Sequence, residues 1–179
     1  ISGTVIINCG GPWADIVLGM AKTNGSGATT LRRSEGIHII TSKRLLSGHY
    51  TIGSMTPAGR HFFLIPWRNH TLIGTTDKPF NGNPDDYRVT KESIMELIAD
   101  VNSSFGDGNL CFADVKHTYG GLRPLIEKET KETYSSSRKY EIYDNKDEGL
   151  DGLITVEGGK YTTSRRLAEN CLKVVAAKM

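Results

Sequence analysis

The sequence predicts an α/β protein in which two similar end segments share one mainly parallel sheet and an α+β domain is inserted between them. The closing stretch, Leu153–Arg166, reads as a strand, a glycine pair and the start of a helix. The opening stretch, Thr4–Met20, repeats that design. The interval between the two stretches is far too long for a loop, so it must hold a domain of its own.

The opening segment begins with Thr4–Cys9, which is apolar throughout its centre and is predicted to be a fully buried strand. The pair Gly10–Gly11 ends this strand. Pro12 then suits the first turn of a helix, because its missing N–H has no partner there in any case. A second helix is predicted in the closing segment.

In the closing segment the strand ends at Gly158–Gly159, and Thr162 or Thr163 is expected to cap the helix that follows. Apolar residues then recur at helical spacing: Leu167, Ala168, Cys171, Leu172 and Val175. The unpaired amides of such a helix start favour negative charge, and Lys160 stands beside them. The alternative to an anion-binding turn is an ordinary strand-to-helix connection with a solvated lysine. Taken alone, this segment favours the ordinary connection.

Parallel strands that end in glycine turns open onto a common crevice, which is where α/β sheets usually bind ligands. We therefore expect both glycine pairs to lie at one edge of the sheet. The polar stretch Asn24–Gly27 is predicted to be the linker that leaves the first domain.

The interior begins with a strand at Gly36–Thr41. Two further strands, His61–Trp67 and Thr71–Thr76, flank the short turn Arg68–His70 and predict an antiparallel hairpin. Pro66 cannot donate a hydrogen bond to a neighbouring strand, so it is expected at a bulge or an edge.

Thr90 opens an amphipathic helix with one apolar face, formed by Ile94, Leu97, Ile98, Val101 and Phe105. Asp114–Leu125 returns as a strand. The charged stretch Glu127–Lys139 is expected to be a mobile excursion, and Tyr140–Tyr143 is predicted to be a short strand.

Composition excludes several classes of protein. The chain has 179 residues, with 22 basic and 20 acidic side chains, so a nucleic-acid-binding surface is not expected. Cys9, Cys111 and Cys171 are too scattered for a disulfide frame or a zinc site, and they fit reduced thiols in the cytoplasm. No apolar run is long enough to span a membrane. Because the chain opens at Ile1 without methionine, we expect it to be cut from something longer.

The sequence has no GxGxxG, Walker, HExxH or GxSxG motif, so candidate site residues are scattered: His38, Asp77, His117, Tyr119, Arg123 and Lys160. Arg123 lies between a glycine pair and a proline, and a rigidly held guanidinium suits capture of phosphate or carboxylate. A surface arginine is the alternative. A histidine such as His38 in an apolar strand is more often a core residue than a base, and Asp77 is equally suited to capping a turn.

Taken together, six motifs in this order resemble the FAD-dependent glycerol-3-phosphate dehydrogenases: Asn8–Ala14, Gly36–His38, Ile65–Trp67, Gly74–Asp77, Gly121–Leu125 and Gly158–Thr163. The resemblance implies an FAD-binding, Rossmann-like domain interrupted by a substrate domain built on an antiparallel sheet. On this interpretation residues 1–30 and 146–179 belong to the FAD-binding domain, and residues 31–145 form the substrate domain.

Members of that family begin with a GxGxxG turn for the ADP half of FAD and a substrate-contacting arginine, and many end in a helical extension. None of these three features is found in this sequence. The resemblance therefore implies a fragment, which by itself is expected to hold no FAD and to be inactive.

The resemblance also assigns residues to the cofactor and the substrate. The cofactor-binding residues it implies are Gly10, Gly11, Pro12, Trp13, Gly158, Gly159, Lys160 and Thr162. Arg123 and Lys160 are similar to the substrate-binding cations of the family, and His38 is the best available proton acceptor within the chain. The reaction implied is hydride transfer from C2 of sn-glycerol 3-phosphate to flavin N5, which gives dihydroxyacetone phosphate.

The sequence departs from the family at three positions that bear on cofactor packing: Glu35 replaces a frequent Lys, Tyr161 a Leu and Ser164 a Tyr. Two alternatives remain open, namely a related FAD enzyme for a 2-hydroxy acid or amine, and a non-catalytic small-ligand module. The resemblance further implies a quinone or another redox protein as electron acceptor, and peripheral association with the inner face of a membrane.

Overall fold

A computed structural model describes residues 3–22, 31–105, 109–126 and 140–179 of the chain. The strands and helices of these residues are, in chain order, β1 (Ile6–Asn8), α1 (Ala14–Ala21), β2 (Arg32–Thr41), β3 (Ile52–Met55), β4 (His61–Trp67), β5 (His70–Gly74), β6 (Lys78–Phe80), α2 (Lys91–Ser104), β7 (Val115–Leu125), β8 (Tyr140–Asp144), β9 (Leu153–Gly158) and α3 (Ser164–Ala176). The chain divides into a terminal unit, Ile1–Arg33 with Arg123–Met179, and an inserted unit, Ser34–Leu122.

The terminal unit contains a three-stranded sheet in the order β1-β9-β8. β1 and β9 are parallel, with Ile6 opposite Leu153 and Asn8 opposite Thr155, whereas β8 runs antiparallel to β9. The expectation that the two end segments supply neighbouring parallel strands is confirmed. A 3₁₀ turn followed by a helix comes after each of these two strands.

The expectation of a fully buried first strand is wrong. Ile6 and Ile7 are 36% and 39% exposed, and within β1 only Asn8 is buried. The reason is position: β1 lies at the edge of the sheet, and among the described residues β9 is the only strand that pairs with it.

The cap and the apolar face of α3 also differ from the sequence prediction. Thr163 precedes α3 but its side chain makes no cap hydrogen bond to the helix. Its Oγ1 instead accepts from the backbone N–H of Lys160 and closes the preceding 3₁₀ turn. Cys171 is buried and Leu167 and Val175 pack beside it, but Ala168 and Leu172 are exposed. The packed stripe of α3 is therefore narrower than the apolar pattern.

The inserted unit is built on a sheet with the strand order β3-β4-β5-β2-β6, to which β7 adds by pairing with β2. The predicted hairpin is confirmed as β4 and β5, with Trp67 opposite His70 and Arg68–Asn69 as the turn. β3 pairs with β4 only as far as Leu64. Pro66 lies beyond that point, so the N–H that it lacks is not needed for the β3 ladder.

Helix α2 covers one face of this sheet, as its pattern predicts. The buried core comprises Ile37, Ile39, Phe62, Leu64, Ile73, Ile94, Leu97, Ile98, Val101 and Leu110, with Phe105 packed against it. Thr90 caps α2, since its side chain accepts from the backbone N–H of Ser93 at 3.1 Å.

The unit boundaries differ from those expected. The inserted unit starts at Ser34 and ends at Leu122, so residues 140–145 belong to the terminal unit. Their membership follows from the pairing of β8 with β9. The predicted linker Asn24–Gly27 and the polar stretch Glu127–Lys139 lie outside the described residues.

Candidate functional site

Two glycine turns lie at the same edge of the terminal sheet. Because β1 and β9 are parallel neighbours, the turn Gly10–Trp13 and the turn that begins at Gly158 both follow carboxyl ends of adjacent strands. Ligands of α/β proteins bind in this position. Pairing of the two strands thus brings together the two groups of residues predicted to bind a cofactor.

The backbone of both turns requires glycine. The φ angles are +55° at Gly11, +71° at Gly158 and +89° at Gly159, a region that other L-residues rarely adopt. Apart from Gly11 itself and its two chain neighbours, none of the described residues has an atom within 4 Å of the place where a Cβ on Gly11 would stand. A bound group therefore has room to approach the Gly11 backbone closely.

Asn8 fixes the first turn from inside. Its side chain is buried, its Nδ2 donates to the carbonyl of Ala14 at 2.8 Å, and its Oδ1 accepts from the amide of Gly10 at 3.0 Å. These two bonds hold the chain on either side of Gly11. The sequence prediction placed Asn8 within a motif without assigning it this role.

A buried ion pair braces the same turn. Arg33 and Asp15 lie 2.5 Å apart, with side chains only 7% and 9% exposed. Arg33 also donates through Nε to the carbonyl of Pro12 at 2.7 Å and through Nη1 to that of Leu31 at 3.0 Å. The second Asp15 oxygen accepts from the Leu31 amide. Sequence reasoning missed this pair, although a charged residue one helical turn after a glycine pair was a signal that could have been followed.

Glu157 is a second acidic group in this region, immediately before Gly158. Burial raises the pKa of its carboxyl, and the negative charge of Asp15 raises the pKa further. Each of these effects disfavours the charged carboxylate. Glu141 lies directly opposite Glu157 in the β8–β9 ladder, which adds another acidic side chain nearby.

The remaining predicted cofactor residues are more open. Pro12 is half-buried, Trp13 is 39% exposed, and Lys160 and Thr162 are exposed. The Lys160 backbone is held by its hydrogen bonds with Thr163, in which Thr163 Oγ1 also donates to the Lys160 carbonyl. The turn is fixed, and the Lys160 side chain extends from it.

The inserted unit brings two other candidates together. His38 in β2 stacks on Tyr119 in β7, with ring centroids 5.0 Å apart and planes inclined by 8°. Asp77 accepts a short hydrogen bond from Ser34. Thr76 Oγ1 accepts from the Ile37 amide at 3.0 Å, so this part of the chain is tied to β2 on both sides of Gly36.

Glu35, where the sequence departs from the pattern of the family it resembles, is buried in the inserted unit. Its Oε1 accepts from the hydroxyl of Ser93, in α2, at 2.7 Å. This glutamate therefore supports the packing of α2 on the sheet. His117 is exposed on β7.

Arg123 is half-buried in β7 and, like Lys160, belongs to the terminal unit. The assignment of these two cations to substrate binding remains a prediction. Across residues 3–22, 31–105, 109–126 and 140–179 there is no group of three or more histidine, cysteine or acidic side chains arranged to hold a metal ion. No helix in this part of the chain has the length and apolar character needed to cross a membrane.

Comparison with known proteins gives one family. A family model described as FAD dependent oxidoreductase (DAO) matches residues 2–163. A glycerol-3-phosphate dehydrogenase of Synechocystis sp. is 32% identical over 98% of this chain and 33% of its own length. An aerobic glycerol-3-phosphate dehydrogenase of Bacillus subtilis is 32% identical over 97% of this chain and 30% of its own length.

Two solved structures are also similar to this chain. The glycerol-3-phosphate dehydrogenase of Bacillus halodurans, complexed with FAD, is 29% identical with a TM-score of 0.77, and the match covers 99% of this chain and 32% of that one. The glycine oxidase of Bacillus cereus has a TM-score of 0.52 at 19% identity and shares the fold alone. The chain spans about a third of the length of its glycerol-3-phosphate dehydrogenase relatives.

Proposed function

Since this chain belongs to the FAD-dependent oxidoreductase family, we propose that its protein oxidises sn-glycerol 3-phosphate to dihydroxyacetone phosphate with FAD as cofactor. One observation carries the proposal. Almost the whole chain aligns with proteins named glycerol-3-phosphate dehydrogenase, at 32% identity.

The glycine turns of the terminal unit fit the cofactor. Gly10, Gly11, Pro12 and Trp13 form one side of the site, and Gly158, Gly159, Lys160 and Thr162 form the other. The open space beside Gly11 and the positive φ angles of three of these glycines suit close approach of a ligand to the backbone. When bound, FAD supplies the acceptor for the hydride that leaves the substrate.

We propose that the terminal unit, which contains residues 1–30 and 146–179, is part of the FAD-binding domain. The inserted unit, Ser34–Leu122, is the proposed substrate domain, which the sequence placed at residues 31–145. The core of buried apolar side chains in the inserted unit supports an independent domain there.

Arg123 and Lys160 are the proposed substrate cations. A guanidinium binds two phosphate oxygens at once, whereas an ammonium acts as a point charge. We assign Arg123 to the phosphate and Lys160 to the negative charge that develops on the C2 oxygen. An imidazole nitrogen of His38 accepts the C2 hydroxyl proton.

Kinetics of the naturally expressed protein with glycerol 3-phosphate and an artificial electron acceptor test these roles. We expect Arg123→Lys and Lys160→Met each to lower kcat/KM roughly 10- to 100-fold, because a charge-assisted hydrogen bond contributes about 1.5–3 kcal/mol. Arg165→Lys and Lys173→Met are matched controls, since both side chains lie on the exposed surface of α3. Unchanged kcat/KM in both site variants would remove these residues from the site.

Substrate class is tested by comparing glycerol 3-phosphate with a 2-hydroxy acid and with glycine. Turnover of glycerol 3-phosphate alone supports the proposal. Preference for a 2-hydroxy acid or an amine would overturn the substrate assignment, and absence of flavin reduction with all three would favour a non-catalytic ligand-binding module.

We also propose that the electrons leave to a quinone or another redox protein, from a protein that associates peripherally with the inner face of a membrane. The name of the Bacillus subtilis relative, an aerobic glycerol-3-phosphate dehydrogenase, supports a respiratory acceptor. Activity that sediments with membranes, is released by high salt and reduces an added short-chain quinone would agree with this assignment. Activity confined to the cytosolic fraction would contradict it.

A further inference from the structure

His38 is held on one face of the inserted sheet by the alternation of β2. Its neighbours Ile37 and Ile39 are fully buried in the core, which faces α2, so His38 points to the opposite face. There it is half-buried, with one flat side of its ring on Tyr119. A parallel stack at 5.0 Å restricts the tilt of the imidazole ring.

Gly74 leaves the space that the imidazole ring occupies. In the β2–β5 ladder Gly74 is directly opposite His38. A Cβ placed on Gly74 would lie 2.1 Å from His38 Cδ2 and 2.7 Å from Nε2, far inside van der Waals contact. The φ angle of Gly74 is not among the positive ones. Glycine is therefore needed here for space, and any side chain would displace the ring.

At Gly120, next to Tyr119, the backbone of β7 lies close to side chains of β2 and of the segment before α2. A Cβ on Gly120 would lie 2.4 Å from the Tyr87 hydroxyl and 3.0 Å from Ile37 Cγ2. Because glycine permits this approach, the phenol ring of Tyr119 stacks on the imidazole ring of His38 even though Tyr119 is 45% exposed. A side chain as exposed as that of Tyr119 is not needed to fill the core, so core packing does not explain why this residue is aromatic.

We propose that Tyr119 and Gly74 are positioning residues for His38, which fix the tilt and the height of its imidazole above the sheet. This inference rests on the proposed function, in which His38 accepts the substrate proton. A base works only when its nitrogen is held within a fraction of an ångström of the productive position. The ring of Tyr119 performs this role, and its hydroxyl is not required for the stack.

A double-mutant cycle that measures Tm tests the role of Gly74 without any assay of activity. Gly74→Ala is expected to lower Tm, because the new methyl group collides with the imidazole. In a His38→Ala background that collision is gone, so the same substitution is expected to lower Tm by less than half as much. An equal loss of Tm in both backgrounds would overturn the proposal for Gly74.

Kinetics test the part played by Tyr119. Tyr119→Leu is expected to lower kcat for glycerol 3-phosphate about 10-fold with KM changed less than about 2-fold, and Tyr119→Phe is expected to restore most of kcat. Tyr50→Leu is the control, because Tyr50 is 85% exposed. Unchanged kcat in Tyr119→Leu would overturn the proposal, as would a Phe variant as slow as the Leu variant, since the hydroxyl would then be the active group.

The outcomes separate this inference from the proposed function. If the wild-type protein turns over glycerol 3-phosphate and His38→Ala is impaired while Tyr119→Leu is not, only the positioning role fails. If His38→Ala is as active as the wild type, the role of His38 as base fails and the positioning role falls with it. In that case the double-mutant cycle on Tm still shows whether the His38 ring occupies the space that Gly74 leaves.

Discussion

At the scale of single residues, the terminal unit depends on charged groups placed where the chain bends. Arg33 and Asp15 satisfy the carbonyls of Pro12 and Leu31 and the amide of Leu31 inside a small unit. An ion pair of this kind stabilises the fold only while both partners are present, because one charge left alone keeps its full desolvation cost.

We therefore predict that Arg33→Met lowers the free energy of unfolding by about 3–5 kcal/mol, because it leaves Asp15 buried without its cation. Arg32→Met is the matched control at the adjacent, less buried position, and a change of less than about 1 kcal/mol is expected there. Urea unfolding of both variants measures the difference. Equal losses in the two variants would contradict a specific role for Arg33.

Glu157 gives a prediction about pH. Its pKa is raised in the folded state by burial and by Asp15. The folded state therefore holds the Glu157 proton more tightly than the unfolded state does, so the contribution of Glu157 to stability falls as pH rises above the ordinary glutamate pKa of 4.5. Glu157→Gln is neutral at every pH. It is expected to have a higher Tm than the wild type at pH 7 and no such advantage at pH 4, and an advantage that is the same at both pH values would contradict the pKa shift.

At the scale of secondary-structure elements, local signals were sufficient where the element packs on a full core. Helix α2 begins after its predicted cap and buries the predicted stripe. The same signals were less reliable in the terminal unit. β1 is exposed at the edge of its sheet, and α3 buries fewer apolar residues than its pattern presents.

The cap of α2 is testable. Thr90→Ala removes the acceptor for the Ser93 amide and is expected to lower the free energy of unfolding by about 1 kcal/mol, within a range of roughly 0.5–2 kcal/mol. Thr90→Ser keeps the acceptor oxygen and is expected to lose little. A serine variant as unstable as the alanine variant would assign the effect to the threonine methyl group and not to the cap.

At the scale of the whole molecule, the two units have cores of different size. Among the described residues, ten buried apolar side chains form one continuous core in the inserted unit. In the terminal unit Ile154, Val156 and Cys171 form a cluster of three, and further buried apolar residues such as Leu18 and Leu125 lie outside it. Burial of apolar surface is the main source of folding free energy, so we expect the inserted unit to be the more stable of the two.

We predict that native-state hydrogen exchange of the 179-residue chain is slowest in β2, β4 and β5 and fastest in β1 among the strands. The central strands of the inserted sheet are paired on both sides and covered by the core, whereas β1 is paired only with β9 in the described part of the chain. Mass spectrometry of deuterated peptides measures this order. Equal protection of β1 and β4 would show that the edge strand is covered in solution.

Local sequence patterns were enough to predict the α/β class, the repeated strand–glycine–helix design of the two ends, the hairpin and α2, and the family resemblance that the comparisons confirm. These features follow from local periodicity, from proline and glycine, and from motifs read along the chain. Three features could not be predicted without the fold: the exposure of β1, the contacts of Arg33 with Asp15 and Pro12, and the position of His38 over Gly74 against Tyr119. Each of these features depends on how strand register and helix packing bring together residues that are distant in the chain. Register is set by burial across the whole sheet, and local sequence does not encode that burial.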